Sequence, residues 1–345
     1  MIRRLARGGL ALVCGGLMAG CGSQRSGTTS TATPPTVTAP LSTSLVTAQG
    51  TWAIAVMGGS AASHNNFWQL FVRPAGASRW SLVTPKGVAD NGGLVAAGAS
   101  TSLVVGFRPS QNLAYSPLAA STDTGKNWTP GLLDADLADN PGAIAVSPSG
   151  RTLALLQDGT ITTAPTASAA AAGQWTTLST RDALAASAPG RSCGLVGVSA
   201  VSFGPDKNPM AAGSCARPGV AGVFTDTGGT WRSAGLVLPG KSTGTVQVLG
   251  LAATAGGNVA LLAAGNSLLA AWWNGTRWTV SDPLAAGPVT ASTVRALGFG
   301  ADGSAWLLLG DGRAETIGGT GGSWQALPPV PSGTMTLAPP GSGRR

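Results

Sequence analysis

The sequence predicts an all-β protein, a six-bladed β-propeller of four-stranded antiparallel blades. Two observations carry this reading. Tryptophans recur at Trp80, Trp128, Trp175, Trp231, Trp278 and Trp324, spaced by 48, 47, 56, 47 and 46 residues, and each begins a short strand such as RWSLV, NWTPGLL or RWTVSD. Upstream of most of them come an apolar run, a glycine turn, a second apolar run and another turn, clearest in GAIAVSPSGRTLALLQDGTITTAP (142–165). Four short strands per unit of about 40–50 residues is the period of a propeller blade. A β-sandwich would leave five near-equal intervals to chance. A seventh blade is a closer rival, because residues 185–225 carry an insertion, yet the tryptophan strands number six.

The first element, MIRRLARGGLALVCGGLMAGC, sets Arg3, Arg4 and Arg7 before an apolar stretch and small residues. That order makes residues 1–20 a secretory signal peptide, too short and wrongly flanked for a spanning helix. Its end, LMAGCGS, resembles the bacterial lipobox. The resemblance implies that Cys21 carries the acyl chains and that the protein is extracytoplasmic, held to the cell membrane as a lipoprotein. A diacylglyceryl cysteine supplies the two chains that stable anchoring needs. Removing the three arginines with the signal leaves 18 basic residues against 13 acidic, a net charge of +5. The arginines are scattered, with no basic run interleaved with aromatics, so no nucleic-acid partner is expected. Residues 21–50 are rich in Ser, Thr and Pro and cannot bury enough surface to fold, so they read as a tether. The propeller spans 51–341, and 342–345 form a disordered tail.

Within the propeller, TWAIAVM (51–57), NFWQLFVRP (66–74) and RWSLV (79–83) make a blade that lacks its innermost strand. GTMTLAPPG (333–341) follows the pattern of GAIAVSPSG (142–150), with no further strands behind it. The C-terminal strand is therefore expected to pair with the N-terminal blade and close the ring, removing two aggregation-prone edges. Cys193 and Cys215 are the cysteines left once Cys14 and Cys21 belong to the signal and the anchor. They bracket the first two strands of the fourth blade, whose antiparallel pairing brings them together as a disulfide in an oxidising compartment.

STDTGKNW (121–128) and FTDTGGTW (224–231) place an aspartate five residues before a tryptophan, twice, in a chain with 10% charged residues. The first resembles the Asp-box, S-x-D-x-G-x-x-W, a motif of sialidases and many other propellers, and the second fits from its aspartate onward. The residues agree with an architectural role. An aspartate heading a tight turn accepts hydrogen bonds from backbone N–H groups, and glycine supplies a left-handed residue. The tryptophan then packs between sheets. Asp123, Gly125, Trp128, Asp226, Gly228 and Trp231 are thus expected to be structural. The resemblance implies that this turn joins the outer two strands, away from the ligand face.

No catalytic set can be placed. Sialidases use a tyrosine nucleophile with a glutamate and three arginines, whereas this chain has one tyrosine, Tyr115, and one glutamate, Glu315, both expected on outer strands. The lone His64 lies in a turn, so no zinc ligand set exists. Asp134, Asp136 and Asp139 crowd one loop, but without the glycine turn and bidentate glutamate of a calcium loop. No cofactor or metal is expected.

ADNGG (89–93) and ADNPG (138–142) recur 49 residues apart, each just before an innermost strand. Loops leading into innermost strands ring the central channel. Asp90, Asn91, Asp139 and Asn140 are therefore candidate ligand-facing residues, with Arg191 and Arg295 at similar places in later blades. The reading is a non-catalytic binding or scaffolding module for a protein or glycan ligand, touching the membrane through its anchor. A divergent sialidase-like glycoside hydrolase and an envelope assembly factor are the alternatives, since fold alone does not choose among them.

Overall fold

The computed structural model describes residues 46–47, 50–58, 66–74, 77, 81–85, 94–107, 114–138, 140, 142–239, 244–254, 256–289, 293–300, 302–311, 313–319 and 322–327. The signal, Cys21, most of the tether, and the C-terminal strand and tail expected from the sequence lie outside these residues.

The strands pair into six antiparallel sheets in chain order. The first holds β1 (Val46–Thr47), β2 (Gly50–Gly58), β3 (Asn66–Pro74) and β4 (Ser81–Leu82). The second holds β5 (Leu94–Ala99), β6 (Ser102–Phe107), β7 (Ser116–Ser121) and β8 (Thr129–Leu133). The third holds β9 (Ile144–Val146), β10 (Thr152–Leu155), β11 (Ile161–Ala164) and β12 (Thr176–Ser179), with helix α1 (Ala167–Ala171) before the last strand. Helices α2 (Arg181–Ala186) and α3 (Ala188–Cys193) precede the fourth, made of β13 (Leu195–Phe203), β14 (Pro209–Cys215), β15 (Val220–Thr227), β16 (Thr230–Ser233) and the short β17 (Leu236–Val237). The fifth holds β18 (Val246–Thr254), β19 (Gly257–Ala264), β20 (Ser267–Trp273), β21 (Trp278–Val280) and β22 (Leu284–Ala285). The sixth holds β23 (Val294–Phe299), β24 (Ala305–Leu309), β25 (Ala314–Ile317) and β26 (Gln325–Ala326).

From the second sheet to the sixth, the first strand of each packs on the first strand of the next, so β5, β9, β13, β18 and β23 surround a common axis. This is a β-propeller. The expected count of six blades is corrected to five complete ones. A complete blade needs an innermost strand along its length, whereas among the described residues the nine-residue β2 is flanked on that side only by Val46–Thr47, opposite Thr51 and Gly50. Crowding is greatest near the axis. Gly142 forms a parallel bridge to Ala200, with Val201 N–H donating to Gly142 O at 2.9 Å. A Cβ on Gly142 would stand 2.9 Å from the Ala200 methyl, so the third and fourth blades meet there only through glycine.

Alternation along each strand sends one set of side chains to each neighbouring sheet. Val104 and Leu118 join Leu153, Leu155, Phe203 and Phe224 in a core that runs through the second, third and fourth sheets. Met210 and Val223 meet Val248 and Leu262 between the fourth and fifth, and Leu261 meets Leu307 and Ile317 between the fifth and sixth.

The repeating tryptophans also tie blades by hydrogen bonds. Trp128 Nε1 donates to Val83 O at 2.7 Å, Trp278 Nε1 to Ala234 O at 2.9 Å and Trp324 Nε1 to Asp282 O at 3.1 Å. Each acceptor lies just beyond the fourth strand of the preceding sheet. Trp175 differs, donating within its own blade to Ala170 O of α1 at 3.0 Å, and Trp231 packs on the core of the second to fourth sheets. Cys193 and Cys215 form the expected disulfide, with Cα atoms 5.3 Å apart. The register explains why they meet: Leu195 opposes Cys215, and Arg217 N–H donates to Cys193 O.

Candidate functional site

The two aspartate motifs fold differently. At 121–128 the chain leaves β7 and makes an open turn. Asp123 Oδ1 accepts from the Ser121 hydroxyl at 2.8 Å and from Asn127 N–H at 2.9 Å, and Oδ2 accepts from Asn127 Nδ2 at 2.6 Å. Gly125, at φ 78°, donates its N–H to Ser121 Oγ. The Asn127 backbone and side-chain donors, with the Ser121 hydroxyl, lower the Asp123 pKa to about 2. Asp123 is a turn brace.

Asp226 is not, and here the expectation is corrected. Gly228 and Gly229, at φ 62° and 88°, close a two-residue turn of the left-handed kind that suits a hairpin. The ladder therefore zips to Thr227 opposite Thr230, and Asp226 stands inside β15 directly across from Trp231. No turn N–H is left for the carboxylate. Asp226 is buried, and its Oδ1 has no hydrogen-bond partner.

The other chemically interesting groups do not converge. Tyr115 is an exposed residue just before β7, while Glu315 is buried in β25, the third strand of its blade, with Arg313 Nη1 3.9 Å away. Among the described residues there is no cluster of three His, Cys, Asp or Glu side chains that could hold a metal. His64 and Asp139 lie outside the described residues, as do Asp90 and Asn91. Asn140 is half-buried two residues before Gly142. Arg191 is exposed on α3, its guanidinium donating to Ala186 O. Arg295 lies in β23 where the register steps from Val294 to Ala296, the place of a β-bulge.

A cavity of about 320 Å³ lies where the five innermost strands converge. Its wall takes Ala97 and Ala99 from β5, Ala145 and Val146 from β9, Val201 and Phe203 from β13, Leu251 and Thr254 from β18, and Leu297 and Phe299 from β23. These are mainly the later halves of the strands and the hairpins that follow them, not the loops that lead in. The surface is mostly apolar, with Ser202 and Thr254 hydroxyls turned to backbone carbonyls of Phe203 and Gly257. Among the described residues Lys207 is the single charged one in this wall. A second cleft, of about 390 Å³, lies beside Val83, Lys126, Asn127 and Trp128, but Asn127 and Trp128 already bond to Asp123 and Val83.

The hairpins at this mouth share a pattern that sequence reasoning missed. Gly204 N–H donates to Asn208 O and Lys207 N–H to Gly204 O, and the same two bonds recur as Gly300 to Ser304 and Gly303 to Gly300. In each, an aspartate at the third position accepts from the fifth: Asp206 from Asn208 N–H and Nδ2, Asp302 from Ser304 N–H and hydroxyl. Burial pushes the Asp302 carboxyl up, but the Ser304 donors outweigh it and hold the pKa below the ordinary value. The signal was legible as GPDKN and GADGS, both directly after an innermost strand.

The sequence matches no protein-family model and no curated protein. Among solved structures it is similar to "YCF48 bound to D1 peptide", at 15% identity and a TM-score of 0.46, covering 85% of this chain and 83% of that one. It is also similar to the Aleuria aurantia lectin in complex with a fucosylated GlcNAc, at 16% identity and a TM-score of 0.45, covering 73% and 81%. A third is a nidogen/laminin complex, at 12% and a TM-score of 0.48, covering 83% and 95%. Likenesses of this degree carry no ligand across to this chain.

Proposed function

We propose that the chain is a non-catalytic binding or scaffolding module that takes a protein or glycan ligand at the axial channel of its propeller. The observation that carries this is the cavity itself. All five complete blades contribute to one wall, so a ligand seated there would contact every repeat at once. The best-patterned carboxylate, Asp123, has both oxygens engaged in its turn, so its place in an Asp-box is architectural. Within this reading residues 1–20 are removed as a signal, Cys21 is lipidated, and residues 21–50 hold the propeller off the outer face of the cell membrane. The leading loops with Asp90, Asn91, Asp139 and Asn140, together with Arg191 and Arg295, form the polar approach to the channel. The segment 333–341 pairs with the free side of β2 and joins the two ends of the chain.

The test is ligand capture with an internal control. Immobilised residues 45–345 should retain a component of the cell envelope that a variant with the cavity filled, Ala97→Trp, does not. Equal retention by both would move binding away from the channel. Hydrolysis of a fluorogenic sialoside by the purified domain, lost in a folded Asp123→Asn variant, would replace the reading with an enzyme.

A further inference from the structure

Three hairpins at the mouth of the cavity hold their fourth residue in the left-handed region: Gly150 at φ 85°, Gly303 at φ 82° and Lys207 at φ 64°. Their bonding is equivalent, since Gly150 N–H donates to Ser147 O as Lys207 N–H does to Gly204 O and Gly303 N–H to Gly300 O. Two hairpins use the residue this geometry favours. The third uses a side chain that it penalises, because a Cβ in this region crowds the following carbonyl. Strain kept where glycine serves twice is a mark of function.

Among the described residues Lys207 is also the only charged one in the cavity wall. It makes no ion pair with any of them, and the Asp206 carboxylate is turned to Asn208, accepting from its N–H at 3.1 Å and from its Nδ2 at 2.6 Å. Arg151, on the hairpin of the preceding blade, lies over the Phe203 ring, 6.0 Å from its centre. Asp302 is spent on Ser304. The wall behind Lys207 is Val201, Phe203, Leu251, Leu297 and Phe299, with small alanines and glycines between them. An exposed lysine lining an apolar chamber suits an apolar body that ends in a negative charge.

We propose that the cavity binds an amphiphilic carboxylate, with its apolar chain among the innermost strands and its carboxylate on the Lys207 ammonium. This rests on the channel being a binding site and adds a small ligand there, distinct from the protein or glycan partner. Burial of the chain is non-directional, and the charged contact fixes which end faces out.

Equilibrium dialysis of radiolabelled decanoate and of 1-decanol against the full chain tests this. Decanoate should bind about tenfold more tightly than decanol, and Lys207→Met should abolish that difference while leaving decanol binding unchanged. Lys207→Gly should lose the preference too, yet melt at a higher temperature, since it relieves the backbone. A lysine with no ligand role would show the rise in melting temperature but no preference for decanoate to lose. Equal affinity for decanoate and decanol, or retention of decanoate by Lys207→Met, would overturn the proposal and leave the channel reading standing. Failure of both amphiphiles to bind would overturn it as well, while the capture experiment with Ala97→Trp judges the channel separately.

Discussion

Trp278→Phe should weaken the junction between the fourth and fifth blades specifically. The indole N–H donates to Ala234 O across 44 residues of sequence at 2.9 Å, and the ring stacks obliquely on Trp273 with centroids 5.5 Å apart. Phenylalanine keeps the ring's position but removes the donor and part of the contact. A partly buried hydrogen bond contributes about 1 kcal/mol net. The smaller ring forfeits roughly another 0.5–1 kcal/mol at about 25 cal/mol/Å². The sum, ~2 kcal/mol, corresponds to a drop of roughly 3 °C in melting temperature for a domain of this size. The control is Trp175→Phe, whose lost bond, to Ala170 O, lies within one blade. Both should destabilise. Only Trp278→Phe should speed hydrogen exchange at the Ala234 and Leu238 amides, which bond to Val223 O and Gly219 O in the preceding blade. Unchanged stability, or the same exchange pattern in both variants, would refute the claim that the tryptophans tie blades through their N–H groups.

Replacing Cys193 and Cys215 with serine should cost about 3 kcal/mol, because the bridge closes a loop across a separation of 22 residues; equal urea midpoints with and without reductant would oppose this. Asp123→Ala should cost about 1 kcal/mol at neutral pH through the lost acceptors for Asn127 and Ser121. Because the folded pKa is lowered to about 2, below the unfolded value, the carboxylate stabilises above about pH 4. The gap between wild type and the variant should therefore close as pH falls from about 4 through about 2, and a gap constant with pH would count against the brace. Asp226→Val should be neutral or stabilising, since it removes a buried oxygen without a partner and suits a strand; a loss as large as that of Asp123→Ala would show an unrecognised bond. Deleting residues 332–345 should lower the melting temperature of the whole propeller if that segment closes the ring, and an unchanged transition would exclude closure.

The repeat was legible because tryptophans recur at a near-constant spacing, and at Trp128, Trp278 and Trp324 the indole N–H reaches a backbone carbonyl of the preceding blade. The disulfide was legible because antiparallel register fixes which residues meet. The blade count was not, since it depends on whether an innermost strand runs the length of β2, and five residues of matching pattern do not establish pairing. The helices were legible in part. TASAAAAG carries a Thr166 cap and a run of alanine, the best helix former, although no helix was expected within the blades. The difference between Asp123 and Asp226 turns on one position in the motif. Asn127 supplies a backbone and a side-chain donor to an open turn, whereas Gly229 lets the second hairpin close fully and strands its aspartate in the ladder. The cavity left no mark at all, because its wall is made of small apolar residues some fifty positions apart that look like any inner strand.

The two ends of the channel are built by different physics. Register steps occur at or before the middle of three successive innermost strands, passing over Ser199, Leu249 and Arg295. A bulge adds twist and re-aims the residue it leaves unpaired. Ser199 uses that freedom to donate to Val248 O of the next blade, which fastens the fourth blade to the fifth near the axis. Beyond these steps the strands run regularly to hairpins whose aspartates serve only their own turns, and this regular half forms the cavity. If the channel binds as proposed, this chamber would select by shape and apolar area, with Lys207 the one charged residue among those described in its wall. The leading half holds the irregular backbone, with Asn140 half-buried before Gly142 and Arg295 at a register step. If the channel binds as proposed, substitution at Lys207 and at Arg295 should therefore differ in kind. The first should change affinity for the buried anionic end with little effect on partner choice. The second should change which partners are accepted at the other face while decanoate binding is preserved, and a loss of decanoate in Arg295→Ala would mean that the two halves form one continuous site.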